Sequence, residues 1–225
     1  MKLNRVEKTL MNNPIRALVQ RFHEAAMMER LGGRVEGESV LEIGCGRGVG
    51  TEIIFKRFGA GRVDAFDLDP DMIESARNRL AHFPPERLRL FVNDAAAIEA
   101  DDGAYDAVFD FGIIHHVPDW QQAVAQVARV LKPGGRFFFE EVTRQALERW
   151  FYRTFLAHPK EHRFSAEEFV KEVECRGIKV GRNYQQWFFG DFVVGVGHKV
   201  DDPTLDLQQI HLEEQIDERE LVQMF

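Results

Sequence analysis

The sequence predicts an α/β domain built on an open, mostly parallel sheet with helices on both faces. Three observations lead there. From Ser39 onward strand-like and helix-like segments alternate, the pattern of a parallel sheet covered by helices. Tyr105 to Phe111 is a near-continuous apolar run, as in strands buried on both faces. After the fifth strand come one helix and a hairpin, which places an antiparallel strand among the parallel ones.

The elements follow in order. Ser39 to Ile43 is a short apolar strand that runs into glycines, and Thr51 to Phe58 is the helix after it, ended by Gly59-Ala60-Gly61. Arg62 to Asp67 is the second strand. Pro70 then opens a helix, Asp71 to Leu80, at the position where proline is favoured, with Asp69 as its N-cap. Arg87 to Val92 is a third strand and Tyr105 to Phe111 a fourth. Trp120 to Leu131 is an amphipathic helix stopped by Lys132-Pro133-Gly134-Gly135, and Arg136 to Glu141 is the fifth strand. Ser165 to Cys175 begins with the capping-box spacing Ser165 to Glu168. Ile178 to Phe188 and Phe192 to Lys199 form a hairpin around Gly190-Asp191.

Composition narrows the function. The chain has 225 residues, a net charge of −8 and 44% hydrophobic residues. The charge is uneven. Residues 201 to 225 carry eight acids against the single base Arg219, whereas residues 1 to 36 carry seven Lys and Arg against four Glu. The body is therefore near neutral, and bulk charge does not predict nucleic-acid binding. No apolar run reaches the roughly 18 residues of a membrane span, and Met1 to Glu7 is too mixed for a signal peptide. Cys45 and Cys175 have no metal-ligand spacing. A reducing, cytoplasmic setting without disulfides is expected.

The chemistry is concentrated at the carboxyl ends of the strands, where ligands of open α/β sheets bind. Val40 to Gly48 is a strand entering a glycine-rich turn. Read alone, it is either a tight turn or a close backbone approach to a ligand. A dinucleotide fingerprint, G-x-G-x-x-G, would place glycine at position 49. Val49 stands there, and the glycines fall at 44, 46, 48 and 50 behind Glu42. Asp67, roughly 20 residues further on, can accept hydrogen bonds from ribose hydroxyls, or it is a solvated strand end. Asn93-Asp94-Ala95 follows strand three, either as a ligand contact or as a turn.

These segments, with His115-His116-Val117-Pro118-Asp119-Trp120 and Leu131-Lys132-Pro133-Gly134-Gly135, resemble class I S-adenosylmethionine-dependent methyltransferases of the small-molecule type, including quinone-pathway enzymes. The resemblance covers about residues 38 to 142. It implies a Rossmann-like three-layer sandwich, with a mostly parallel seven-stranded sheet and a C-terminal antiparallel hairpin. It implies S-adenosylmethionine as cofactor, bound by Glu42, Gly44, Gly46, Asp67, Leu68, Asp94, Ala95 and Phe111. Within it Asp67 takes the ribose, Leu68 lies against the adenine, Asp94 accepts from the adenine amino group and Ala95 donates from its backbone. Gly112 and His115 stand where some relatives carry metal-holding acids, so no metal is expected.

Methyl transfer from a sulfonium asks mainly for alignment and exclusion of water, and for a base only when the acceptor carries a proton. His115, His116 and Glu140 are the candidates, with a packing role for His116 and a solvated Glu140 or Glu141 as the plainer readings. The expected organisation is an N-terminal helical cap (residues 1–36), a methyltransferase domain (residues 37–200) with an inserted helical lid (residues 143–164), and an acidic tail (residues 201–225). In the lid, Trp150 and Phe151 would meet an aromatic or lipid-like small-molecule acceptor. A covering helix packed as core is the alternative. Neither nucleic acid nor integral membrane contact is expected. Trp187, Phe188 and Phe189 suggest a homodimer contact. A non-catalytic cofactor-binding protein and an NAD-dependent oxidoreductase are the competing functions. The missing third glycine and Asp94 oppose the latter.

Overall fold

A computed structural model describes residues 23–148 and 163–200. Residues 1–22 of the cap, Trp150, Phe151 and most of the lid, and the acidic tail lie outside the described residues.

Helix α1 (Ala25–Gly32) precedes β1 (Ser39–Ile43). Helix α2 (Val49–Ile53) continues as a wider π turn, Ile54–Phe58, into β2 (Arg62–Asp67). Then come α3 (Pro70–Leu80), β3 (Leu88–Val92), β4 (Tyr105–Phe111), a 3-10 turn (Ile114–His116) and α4 (Trp120–Val130). The chain goes on with β5 (Leu131–Val142), α5 (Arg144–Glu148), α6 (Ala166–Cys175), β6 (Ile178–Lys179), β7 (Tyr184–Trp187) and β8 (Phe192–Lys199).

The strand order is β3-β2-β1-β4-β5-β8-β6, with β7 also paired to β8. Strands β1 to β5 are mutually parallel, and β8 runs antiparallel to β5. The mostly parallel sheet with its antiparallel hairpin is thus present, but with eight strands among the described residues. The difference arises where one strand was expected from Ile178 to Phe188. Gly181 adopts φ +58°, and the N–H groups of Val180 and Gly181 turn to Glu174 Oε1 at 3.2 and 2.8 Å. The ladder breaks there and resumes at Tyr184, which gives β6 and β7. A second difference is at Lys132-Pro133-Gly134-Gly135. The helix ends at Val130, and these residues belong to β5 as an irregular stretch, with a register shift opposite Tyr105 to Ala107. A Cβ on Gly135 would lie 2.8 Å from Lys132 O and 3.0 Å from Asp106 O, so the bulge depends on its absence.

Period-two alternation divides the core between two faces. Leu41, Ile43, Val108, Phe137 and Phe139 pack under α4 and α6. Val40, Ala107, Phe109, Phe138 and Val196 pack under α1, α2 and α3. On the second face Phe109 stacks on Phe138 with ring centroids 4.3 Å apart, and Phe58 closes on Phe109 edge-on at 4.8 Å. Helix α1 lies so close to the sheet that a Cβ on Gly32 would be 2.5 Å from Phe138 Cε1. Both anticipated caps are present: Asp69 accepts from Asp71 N at 3.1 Å, and Ser165 and Glu168 form the reciprocal box.

Phe109→Ala empties the middle of the aromatic stack. A loss of about 3–5 kcal/mol in unfolding free energy is expected, measured by urea denaturation.

Candidate cofactor and acceptor site

The sheet order reverses between β1 and β4, and the glycine loop and the His115 loop meet at that switch point. Gly44 has φ +66°, and a Cβ there would stand 2.4 Å from Ile113 Cγ2. A Cβ on Gly50 would fall 2.1 Å from Glu42 Oε1 and 2.6 Å from Phe111 Cδ2. Gly46 differs. It has φ +52°, and nothing lies within 4 Å of where its Cβ would be. The loop is therefore packed against protein at Gly44 and Gly50, and its crest at Gly46 opens on free space, a cradle for a ligand.

The carboxylate of Asp67 holds that crest. Its Oδ2 accepts from Gly46 N at 2.9 Å and its Oδ1 from Asp69 N at 2.9 Å. A carboxylate oxygen can accept more than one hydrogen bond, so this strand-end acid is of the type that takes ribose hydroxyls. Leu68 beside it is 38% exposed. Asp94 is exposed at the neighbouring strand end, where its Oδ1 accepts from Ala96 N. The hydrogen bonds of that turn start from the N–H groups of Asp94, Ala96 and Ala97, which skips Ala95. Phe111 is buried at the end of β4, 5.9 Å from Phe109.

Glu42 is buried below the loop and accepts from Thr51 Oγ1. Burial raises its pKa to about 8, the Thr51 hydrogen bond opposes this, and the charges of Asp67 and Asp110 add to it.

On the opposite side of the switch point lies a group of acids that the sequence only partly revealed. Glu140 and Glu141 are both fully buried, which corrects the expectation that one is solvated. Alternation along β5 sends them to different faces. Glu141, not Glu140, meets the histidine loop: its Oε1 accepts from Ile114 N at 2.6 Å, and its Oε2 lies 2.6 Å from His115 Nδ1. Asp110 reaches the same place from β4, and its Oδ1 accepts from Ile113 N at 3.0 Å. Burial, then the Glu141 charge, drive the Asp110 carboxyl well above the usual carboxylate range. Burial lifts Glu141 to about 7, against the lowering effect of its hydrogen bond with Asp110. The ring of His116 sits 4.0 Å from that of His115. Asp110 was not nominated from the sequence, and Glu141 was named only beside Glu140 at the end of the fifth strand. Their signal was there: an acid inside an apolar strand, and an acid on the same face as Phe137 and Phe139.

An α/β sheet of order 3-2-1-4-5 with an antiparallel strand beyond β5, and a glycine loop tied to an acid at the end of β2, define a Rossmann-like fold. The family described as methyltransferase domain matches residues 40–135. Residues 40–135 are thus similar to a methyltransferase domain, and the sheet has the fold of solved S-adenosylmethionine-dependent methyltransferases. The chain is 27% identical over 186 residues to a 2-methyl-6-phytyl-1,4-hydroquinone methyltransferase of Synechocystis, covering 75% of this chain and 55% of that protein. A fatty-acid O-methyltransferase of Mycolicibacterium smegmatis is 32% identical over 123 residues, 55% of this chain and 42% of that protein. The chain thus spans about half the length of these relatives. In fold it resembles a SAM-dependent methyltransferase from Aquifex aeolicus, with a TM-score of 0.69, 21% identity, and coverage of 88% of this chain and all of that one. S-adenosylmethionine fits the residues present: an open crest at Gly46, a strand-end acid that holds it and an exposed apolar side chain next to that acid.

Two measurements test this site. Asp67→Ala should weaken S-adenosylhomocysteine binding by about 2–4 kcal/mol in calorimetry. Asp69→Ala should instead cost about 1 kcal/mol of folding stability, the value of an N-cap. The fold favours neutral Glu42, so its stabilising share is present below the ordinary value of 4.5 and is lost as pH rises through about 8. Glu42→Gln keeps a Thr51 partner and should flatten the fall in stability across that window, leaving the shares of Asp110 and Glu141 and the opposing one of His198. An unchanged slope in denaturation at several pH values would contradict the burial argument.

Proposed function

We propose that the chain transfers a methyl group from S-adenosylmethionine to a small acceptor with a long apolar part and a proton-bearing acceptor atom, with His115 as the base. The observation that carries this reading is the His115–Glu141 pair beside the glycine loop. When bound, S-adenosylmethionine supplies a methyl group activated on a sulfonium. Gly46, on a loop seated by Gly44, would let the backbone approach it, Asp67 would hold the ribose, and Leu68, Asp94 and Ala95 would receive the adenine.

The histidine works through its partner. Ionised Glu141 accepts the Nδ1–H of His115, which fixes the tautomer and leaves Nε2 without a proton. Nε2 can then take the proton that the acceptor loses. The side chain of His115 is only 4% exposed, and in such dry surroundings its pairing with a carboxylate is strong. His116 packs against that ring, and Glu140 contributes negative charge from the opposite face. The apolar acceptor is supported by the names of the relatives, since a phytyl hydroquinone and a fatty acid both join a long hydrocarbon chain to an ionisable oxygen. Oxygen is the acceptor atom favoured here, as in the fatty-acid O-methyltransferase.

The test is product mass spectrometry after incubation with labelled cofactor and either lipid or polar metabolite fractions. Label should appear in the lipid fraction, and label confined to polar products would overturn the acceptor class. Glu141→Gln should lower kcat by about 10²–10⁴-fold with little change in cofactor affinity. The wild-type rate should rise with pH through about 7, as Glu141 ionises. That limb should disappear in the variant.

A further inference from the structure

The turn between β7 and β8 presents two phenylalanines to solvent at the edge where the site lies. Phe188 is 57% exposed and Phe189 is 83% exposed. Both have positive φ, 51° and 58°, a backbone state that bulky residues rarely adopt. The turn is nevertheless built to hold it. Asp191 N donates to Phe188 O at 3.3 Å, Thr143 Oγ1 donates to Gly190 O at 2.7 Å, and Thr143 N donates to Asp191 O at 2.9 Å. Trp187 is half-buried behind the tip and stacks on Phe192 at 4.7 Å, so the exposed apolar surface is the pair of phenylalanines rather than all three aromatics. Strain retained at an exposed position points to use of what it exposes.

The tip's position and charge indicate what it meets. Val142, the last residue of β5, pairs with Phe192, the first of β8, so the turn stands beside the strand end that carries Glu141. From Asn183 to Gly190 there is no charged residue, in a chain of which 29% is charged. Two phenylalanines bury about 150–250 Å² each, well below the roughly 800 Å² per partner of a stable protein interface. A convex uncharged apolar wedge of that size suits shallow insertion at the headgroup–acyl boundary, where peripheral segments bury Trp, Phe and Leu side chains.

We propose that the Phe188–Phe189 turn is a membrane-surface anchor that brings the acceptor edge of the sheet to a lipid bilayer, from which an apolar acceptor can enter. This rests on the lipid-like acceptor argued above. Since the chain is acidic, with a net charge of −8, attachment is by aromatic insertion and not by attraction to anionic headgroups.

The experiment is sedimentation of the full chain with zwitterionic phosphatidylcholine vesicles at low and high salt, beside the double variant Phe188→Asn and Phe189→Asn. Asparagine tolerates positive φ, so the variant should fold and should bind S-adenosylhomocysteine as the wild type does. Wild-type partitioning is expected to persist at high salt and to fall at least about tenfold in the variant. Wild-type protein that stays off vesicles, or a variant that binds them equally well, would overturn the anchor. So would a wild-type dimer, seen in sedimentation equilibrium, that dissolves in the variant without any vesicle binding, because the turn would then meet a second copy. Failure of the acceptor reading shows separately, as label in polar products while vesicle binding remains.

Discussion

The backbone after β1 has to pass between Ile113 and Phe111 with no room for a side chain, and the rest of the site depends on that steric constraint. Glycine at 44 and at 50 is what lets the loop lie against the β4 loop and over Glu42. Once it lies there, the N–H of Gly46 is aimed at Asp67 and the crest faces outward. The open crest therefore follows from where side chains are forbidden. A methyl group added at 44 or 50 would push the β4 loop or Glu42 away, and the histidine would move with it.

Electrostatics set a second condition. Glu42, Asp110 and Glu141 are buried carboxyls around one switch point, and burial is the leading influence on each. Three ionised acids in that volume would repel one another and forgo hydration. The structure answers by favouring protonation, and by aiming backbone N–H groups at the carboxyl oxygens of Asp110 and Glu141. Glu141 stands nearest its ordinary range of the latter two because it accepts more: Ile114 N, His115 N and Asp110 all lower its pKa. That difference assigns the roles. Asp110 keeps its proton, and Glu141 can carry the charge that orients His115.

Much of the architecture was legible in the sequence, and the failures have physical causes. Strand β4 was read with its observed bounds because an apolar run between polar turns leaves no other register. Asp69 and Ser165 were legible because caps are local. The break at Gly181 was not, since it depends on Glu174 coming around from α6 to take the freed N–H groups. Lys132 to Gly135 was read as a stop, but its backbone joins β5 because Tyr105 pairs with Leu131 across the sheet. Glu140 was nominated over Glu141 because the sequence shows two adjacent acids and not which face the histidine loop covers. Residue type pointed to the carboxyl end of β5, whereas tertiary packing decides which acid meets the histidine loop.

The sheet topology explains why glycine loop, histidine pair and aromatic turn share one edge. Parallel strands β1, β4 and β5 end there together. A strand inserted antiparallel beside β5 has to begin where β5 ends, so the turn that feeds β8 is carried to the edge that holds the glycine loop. Alternation along β5 then sends Glu140 to the α1 face and Glu141 to the α6 face, which leaves only Glu141 within reach of a loop that descends from β4 on the α6 side. A parallel final strand would have carried its incoming turn to the opposite edge, far from the site. The reversed strand thus does two jobs with one constraint: its ladder buries the far side of β5, and its leading turn is free to carry residues that no folding requirement needs to expose.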